Sequence, residues 1–296
     1  MPLALITGLQ GFTGRYLAGE LRSVGYSICG IGETDSSDAE APCVKCDLND
    51  REGVLRAVRD LSPDVVVHLA GIAFPAHDNV DEIYRTNIVG TRNLLDALSR
   101  SPRPVNAVLL ASSANIYGNA TVPIVDETTA PAPANDYAVS KLAMEYMANL
   151  WQSKLPITVV RPFNYTGVGQ STLFLLPKII DHFKRRAPVI ELGNLDVIRD
   201  FSDVRTVVNC YRRLIQLGQP GQTYNICSGV GESLQGVIAT MRAISGHDLD
   251  VVVNPMFVRS NEVHKLIGSP VKLEAAIGSI NRVSLQETLA WMFAQD

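Results

Sequence analysis

The opening of this 296-residue chain constrains its fold more than any other stretch. Leu3-Ala4-Leu5-Ile6-Thr7 is a short apolar run of strand character, and Gly8-Leu9-Gln10-Gly11-Phe12-Thr13-Gly14 follows at once. Residues 15–24 then carry apolar side chains at helical spacing and stop at Gly25. A Gly-x-x-Gly-x-x-Gly turn between strand and helix permits a tight bend. It also lets a pyrophosphate approach the backbone at the helix N-terminus. A plain strand–turn–helix is the alternative, and three glycines at these positions favour dinucleotide binding over it.

Strand–helix alternation continues along the chain. Strands are expected at 27–31, 43–45, 65–69, 107–111, 157–161 and 223–226, with helices at 52–60, 80–99 and 137–151. This is the pattern of a parallel, doubly wound α/β sheet, in which ligands bind beyond the carboxyl ends of the strands. Gly8, Gly71, Ser113 and Asn164 each fall just past such an end and are expected along one edge. After Asn164 the pattern changes. Helices at 173–186, 233–245 and 285–293 and a strand at 250–253 read as a smaller lobe. The expected division is a Rossmann domain at 1–163 plus about 203–227, and a C-terminal lobe at 164–202 plus 228–296.

Asn135-Asp136-Tyr137-Ala138-Val139-Ser140-Lys141 opens the 137–151 helix. Residues four apart share a helix face, so the Tyr137 phenol and Lys141 ammonium point the same way. A free tyrosine has a pKa of about 10, and a nearby cation moves it toward working pH. A surface helix with this spacing by chance is the bland alternative. His68 reads as a satisfied core histidine. At Gly32, where NAD-binding proteins often place an acid for the adenosine ribose, there is none. Glu33 and Asp35 would repel a 2′-phosphate, no basic residue lies within 32–40, and Arg15 is the nearest cation in the glycine motif. Use of both cofactors is therefore expected.

Twenty-six basic against thirty acidic residues argue against a nucleic-acid or membrane-surface role. No apolar run approaches the ~20 residues that span a bilayer, and the N-terminus lacks a signal peptide's basic region. Five cysteines suggest a reducing cytoplasm, and one Cys-x-x-Cys, Cys43 and Cys46, is too little for a zinc site.

Taken in order, Thr7-Gly8-x-x-Gly11-Phe12-x-Gly14, Asp47-Leu48, His68-Leu69-Ala70, Ser112-Ser113…Tyr117-Gly118, Tyr137-x-x-x-Lys141 and Arg161-Pro162-Phe163-Asn164 span nearly the whole chain. The combination resembles the extended short-chain dehydrogenase/reductase family, which acts on nucleotide-activated sugars. The resemblance implies that Ser113 binds the substrate oxygen, Tyr137 exchanges its proton, and Lys141 holds the nicotinamide ribose of NADP(H) or NAD(H) and depresses the Tyr137 pKa. Asp47 and Leu48 would meet the adenine. Gly8, Gly11, Phe12, Thr13, Gly14, Leu69, Ala70, Gly71, Asn87, Ala111, Ser112 and Pro162 complete the implied cofactor contacts. Asn164, Arg199, Arg259 and Glu262 would hold the sugar nucleotide, the arginines by bidentate phosphate contacts. A surface salt bridge is the alternative for either arginine alone.

Residues 161–171, 199–205, 224–229 and 259–268 resemble the GDP-4-dehydro-6-deoxy-D-mannose reductases, which make GDP-D-rhamnose. Dehydratases of the family place an acidic pair after the catalytic Ser or Thr, and fucose-type epimerase–reductases a cysteine; here Ala114 and Asn115 stand instead. A 4-keto reductase of a GDP-sugar is the leading expectation. A 4-epimerase stays open, as does a non-catalytic dinucleotide sensor. A hydrolase is disfavoured because no Gly-x-Ser-x-Gly elbow is present. Relatives pair the 80–99 and 137–151 helices in a dimer, so a homodimer is implied.

Overall fold

The computed structural model describes residues 1–32, 34, 41–72, 79–257 and 263–295. In chain order come β1 (Leu3–Thr7), α1 (Phe12–Ser23), β2 (Ser27–Gly32), β3 (Cys43–Lys45), α2 (Arg51–Leu61), β4 (Val65–His68), α3 (Val80–Tyr84), α4 (Thr91–Ser99), β5 (Ala107–Ala111), α5 (Asp136–Asn149) and β6 (Ile157–Pro162). There follow β7 (Asn164–Thr166), α6 (Leu175–Lys184), β8 (Val189–Leu192), β9 (Ile198–Asp203), α7 (Val204–Leu217), β10 (Thr223–Ile226), β11 (Gly231–Ser233), α8 (Leu234–Ser245), β12 (Asp250–Val253), β13 (Lys265–Leu266), α9 (Val271–Ile277) and α10 (Leu285–Ala294). The single helix expected over 80–99 is interrupted: a π-turn, Arg85–Gly90, joins α3 to α4.

Seven parallel strands form the main sheet in the order β10-β6-β5-β4-β1-β2-β3. The order reverses between β1 and β4, which is the switch point where a doubly wound sheet opens its ligand crevice. Side-chain alternation explains why both faces are covered. Ala4 and Ile6 pack with Leu17 and Leu21 of α1 and with Val204, Val208 and Tyr211 of α7. Leu5, between them, joins the opposite core with Val54 of α2, Leu94 and Leu98 of α4 and Met144 of α5. The Val65-Val66-Val67 run of β4 is buried throughout, as a central parallel strand requires.

Two smaller sheets lie after β6. β9 pairs with β7 and β13 in parallel and with β11 antiparallel, while β8 and β12 form a two-stranded parallel sheet. Here α6, α8 and α10 enclose a separate core around Ile179, Phe183, Met241 and Leu289. A small cluster of Ile116, Tyr117, Val125, Phe163, Cys227 and Leu266 lies next to the strand ends of the main sheet.

Candidate active site

At the switch point the glycine turn leaves no room for side chains. Gly8 has a φ of +73°, which favours glycine, and a Cβ there would lie 3.0 Å from the Ala70 nitrogen. A Cβ on Gly14 would collide with the carbonyls of Gly8 and Leu9. Gly11 caps α1 without a side-chain acceptor, so the first N–H groups of the helix keep the anion-binding arrangement of a helix start. At the end of β3, Asp47 Oδ1 accepts from the Asn49 backbone N–H at 2.8 Å and from Asn49 Nδ2 at 3.1 Å. The Leu48 carbonyl accepts from Asn93 Nδ2 at 2.9 Å. Ser112 Oγ is buried without a hydrogen-bond partner among the described residues. A buried hydroxyl of this kind wants a partner. The bare helix start, the tight glycine cradle and the unpaired hydroxyl on one wall together fit a dinucleotide.

A buried relay fixes the next wall. Thr91 Oγ1 donates to the Asn87 carbonyl at 2.8 Å, so it accepts from His68 Nε2–H, also at 2.8 Å. His68 Nδ1 then accepts from the Thr7 hydroxyl at 2.7 Å, and Thr7 Oγ1 accepts from the Ala70 N–H at 3.1 Å. Burial, with Lys141 adding to it, lowers the His68 pKa to about 3, so the ring is neutral. His68 is the satisfied core histidine expected. Its chain ties β1 and β4 to α4 and sets the Ala70–Gly71 backbone.

Asn135 caps α5 by accepting from the Ala138 N–H at 2.9 Å, which starts the helix one residue before Tyr137. Tyr137 and Lys141 are both buried, at 7 % and 5 % exposure. Lys141 Nζ donates to the Ala111 carbonyl at 2.8 Å. Burial pulls its pKa down to about 8, with Glu145 opposing. Burial pushes the Tyr137 phenol up to about 12, against a hydrogen bond with Ser113 that lowers it. Desolvation disfavours the charged form of each group.

One cavity of about 1550 Å³ gathers nearly all these residues. Gly8, Gly11, Phe12, Thr13, Gly14, Asp47, Leu48, Leu69, Ala70, Gly71, Ala111, Ser112, Ser113, Tyr137, Lys141, Pro162, Asn164 and Arg199 all line it. Asn87 does not. It is 1 % exposed, its Oδ1 accepts from the Ile72 N–H at 3.0 Å, and its Nδ2 donates to Ser140 Oγ at 2.9 Å. It holds the Gly71–Ile72 loop from behind. Arg259, Glu262, Glu33 and Asp35 lie outside the described residues. The Arg15 guanidinium is 3.7 Å from where a Gly169 Cβ would stand.

Lys45, Tyr165 and Asn115 are among the lining residues to which sequence reasoning gave no role. Lys45 pairs with Gly32 across β2 and β3, which puts a cation beside the strand end where none was found in the adjoining loop. Tyr165 stacks on Phe12 with ring centroids 6.2 Å apart and meets Thr13 Oγ1 at 2.8 Å. Asn115 reaches Ser113. Parallel pairing of strands expected at 27–31 and 43–45 could have found Lys45.

The profile of the NAD dependent epimerase/dehydratase family matches residues 4–227. The chain belongs to that family. Within it, the chain is 35% identical over 278 residues to a GDP-6-deoxy-D-talose 4-dehydrogenase from Aggregatibacter actinomycetemcomitans, covering 93% of this chain and 91% of that one. It is 31% identical over 301 residues to a GDP-6-deoxy-D-mannose reductase from Pseudomonas aeruginosa, covering 96% and 93%. Among solved structures, a candidate epimerase from Burkholderia cenocepacia J2315 superposes with a TM-score of 0.93 at 53% identity, covering 99% of this chain and 97% of that one. The Pseudomonas aeruginosa RMD protein complexed with NADPH gives 0.84 at 29%, covering 99% and 98%. These comparisons meet the expectation of a family enzyme that uses a nicotinamide dinucleotide and acts on nucleotide sugars.

Proposed function

We propose that the protein reduces the C4 keto group of a GDP-4-keto-6-deoxyhexose, using NADPH or NADH. The observation that carries this reading is that Tyr137, Ser113 and Lys141 line the cavity that the glycine turn opens. Two relatives similar over more than nine-tenths of the chain are named for redox on GDP-6-deoxy sugars, one of them at position 4. When bound, the dinucleotide supplies a hydride. Gly8, Gly11 and Gly14 with the α1 N-terminus would take its pyrophosphate, Asp47 and Leu48 its adenine, and Ser112 a polar group that reaches the Ala111–Ser112 wall. Ser113 steadies the oxygen on which charge develops, and Tyr137 gives that oxygen its proton. Lys141, held on the Ala111 carbonyl, carries the positive charge that favours the phenolate left behind. Neither Ala114 nor Asn115 can act as acid or base, so elimination of water has no catalyst after Ser113. We assign Asn164 and Arg199 to the sugar nucleotide, with Arg259 and Glu262. Residues 164–202 and 228–296 would form the lobe that reads it. A dimer built on α3–α5 and a cytoplasmic location belong to the same reading.

GDP-D-rhamnose is the product this reading favours. Its C4 epimer, GDP-6-deoxy-D-talose, would come from the same keto sugar by hydride delivery to the opposite face. The test adds GDP-4-keto-6-deoxymannose to purified protein with NADPH or NADH. One cofactor should be oxidised per sugar reduced, and the H3–H4 coupling of the product identifies the epimer. The Burkholderia likeness favours a second reading, a 4-epimerase. Protein that arrives saturated with NAD and interconverts UDP-glucose and UDP-galactose without added cofactor would decide for it.

A further inference from the structure

We infer that Asn115 is a positioning residue that forces Ser113 to act as a hydrogen-bond donor toward the reacting oxygen; this rests on the keto-reductase reading above. Ser113 caps the short 3-10 turn Ala114–Tyr117 that follows β5. Its Oγ accepts twice from one residue, from the Asn115 backbone N–H and from Asn115 Nδ2, each at 3.2 Å. A serine hydroxyl has two acceptor lone pairs and one hydrogen. With both lone pairs engaged by Asn115, the hydrogen is left for another acceptor; the Tyr137 phenol is a hydrogen-bond neighbour of Ser113, and both line the cavity. Asn115 itself lines the cavity and is only partly buried, so its amide acts on the site without belonging to the core.

The consequence is a division of labour. Without the amide N–H, Ser113 could turn and accept from Tyr137, tying up the proton that the reaction needs. With it, Ser113 can only donate, and the phenol proton stays available to the substrate oxygen. Aspartate at this position has nearly the same shape and the opposite polarity. Ionised, it has no donor and accepts the Ser113 hydrogen itself; protonated, it regains one O–H donor.

The experiment follows NADPH oxidation with GDP-4-keto-6-deoxymannose from pH 5 to pH 8 for wild type, Asn115→Ala and Asn115→Asp. GDP binding by calorimetry and thermal melting are run in parallel. Loss of an oriented donor to a developing oxyanion costs about 10²–10³-fold at most. Asn115→Ala should therefore lose roughly ten- to a hundredfold in kcat at every pH, with KM, GDP affinity and melting nearly unchanged. Asn115→Asp should be equally impaired from pH 5 to pH 8, because an aspartate of ordinary pKa, about 3.9, stays ionised over that range. A full-rate Asn115→Ala enzyme overturns the inference. So does an Asn115→Asp enzyme as fast as wild type anywhere in that range. Failure of the reductase reading would appear separately, as wild-type protein that oxidises no cofactor with the keto sugar, and would remove the inference with it.

Discussion

Tyr137 illustrates how far residue chemistry can be read before the fold is known. Its spacing from Lys141 was legible, because four residues on a helix share a face; its proton affinity was not, because burial is a property of packing. With Tyr137 as the proposed proton donor, Tyr137→Phe should lose about 10²–10⁴-fold in turnover while dinucleotide affinity, followed by fluorescence titration, stays near normal. The same burial sets a pH limit. Lys141 gives up its charge near pH 8, so kcat/KM should hold through neutrality and fall as the pH rises past about 8. Cofactor choice shows the opposite limit of sequence reading. Lys45 lies far from Gly32 along the chain and becomes its neighbour only through strand pairing. A cation there suits a 2′-phosphate, and a hydrogen bond to a charged group is worth about 1.5–3 kcal/mol. Lys45→Ala should lower kcat/KM for NADPH at least about tenfold, leave NADH within about twofold, and weaken binding of 2′-phospho-AMP more than of AMP.

Among the elements, the main-sheet strands announced themselves as apolar, β-branched runs, and all seven fall where they were expected, to within a residue or so at their ends. The short strands of the second sheet did not. Asn164–Thr166, Gly231–Ser233 and Lys265–Leu266 are two or three residues long, and they exist because β9 offers them a ladder. No local pattern encodes that. The π-turn was equally hidden, yet it carries Asn87, whose carbonyl accepts from Thr91 and whose amide holds Ile72 and Ser140. Removing this side chain takes the acceptor from the part-buried Ile72 N–H and a partner from Ser140 Oγ. Asn87→Ala should therefore lower the melting temperature and also raise the dinucleotide Kd, because the Gly71–Ile72 backbone it steadies lines the cavity. A dinucleotide Kd equal to wild type would assign Asn87 to stability alone.

For the whole molecule, the buried His68 relay ties fold stability to pH. Its pKa is depressed from 6.5 to about 3. The stability it contributes is complete above pH 6.5 and is lost as the pH falls toward 3. Over that interval the unfolded chain binds one proton that the fold refuses, a slope of up to about 1.4 kcal/mol per pH unit. Denaturant titrations from pH 7 to pH 4 should show this acid limb, and His68→Gln should make it shallower by one proton's worth even if it lowers stability throughout. The strand order has a consequence of another kind. β10 completes the edge of the main sheet, yet it is made after β7, β8 and β9, and the chain then leaves again for β11. The chain past β6 thus passes from the smaller sheets to the main sheet and back again. A chimera with a relative, spliced once after Pro162, would inherit a foreign edge strand and a foreign α7 along with a foreign substrate wall. Changing the sugar by exchanging the proposed lobe therefore needs three splice points, near 163, 203 and 227. A lineage that evolves new substrates by single crossovers must remake the β6–β10 seam each time.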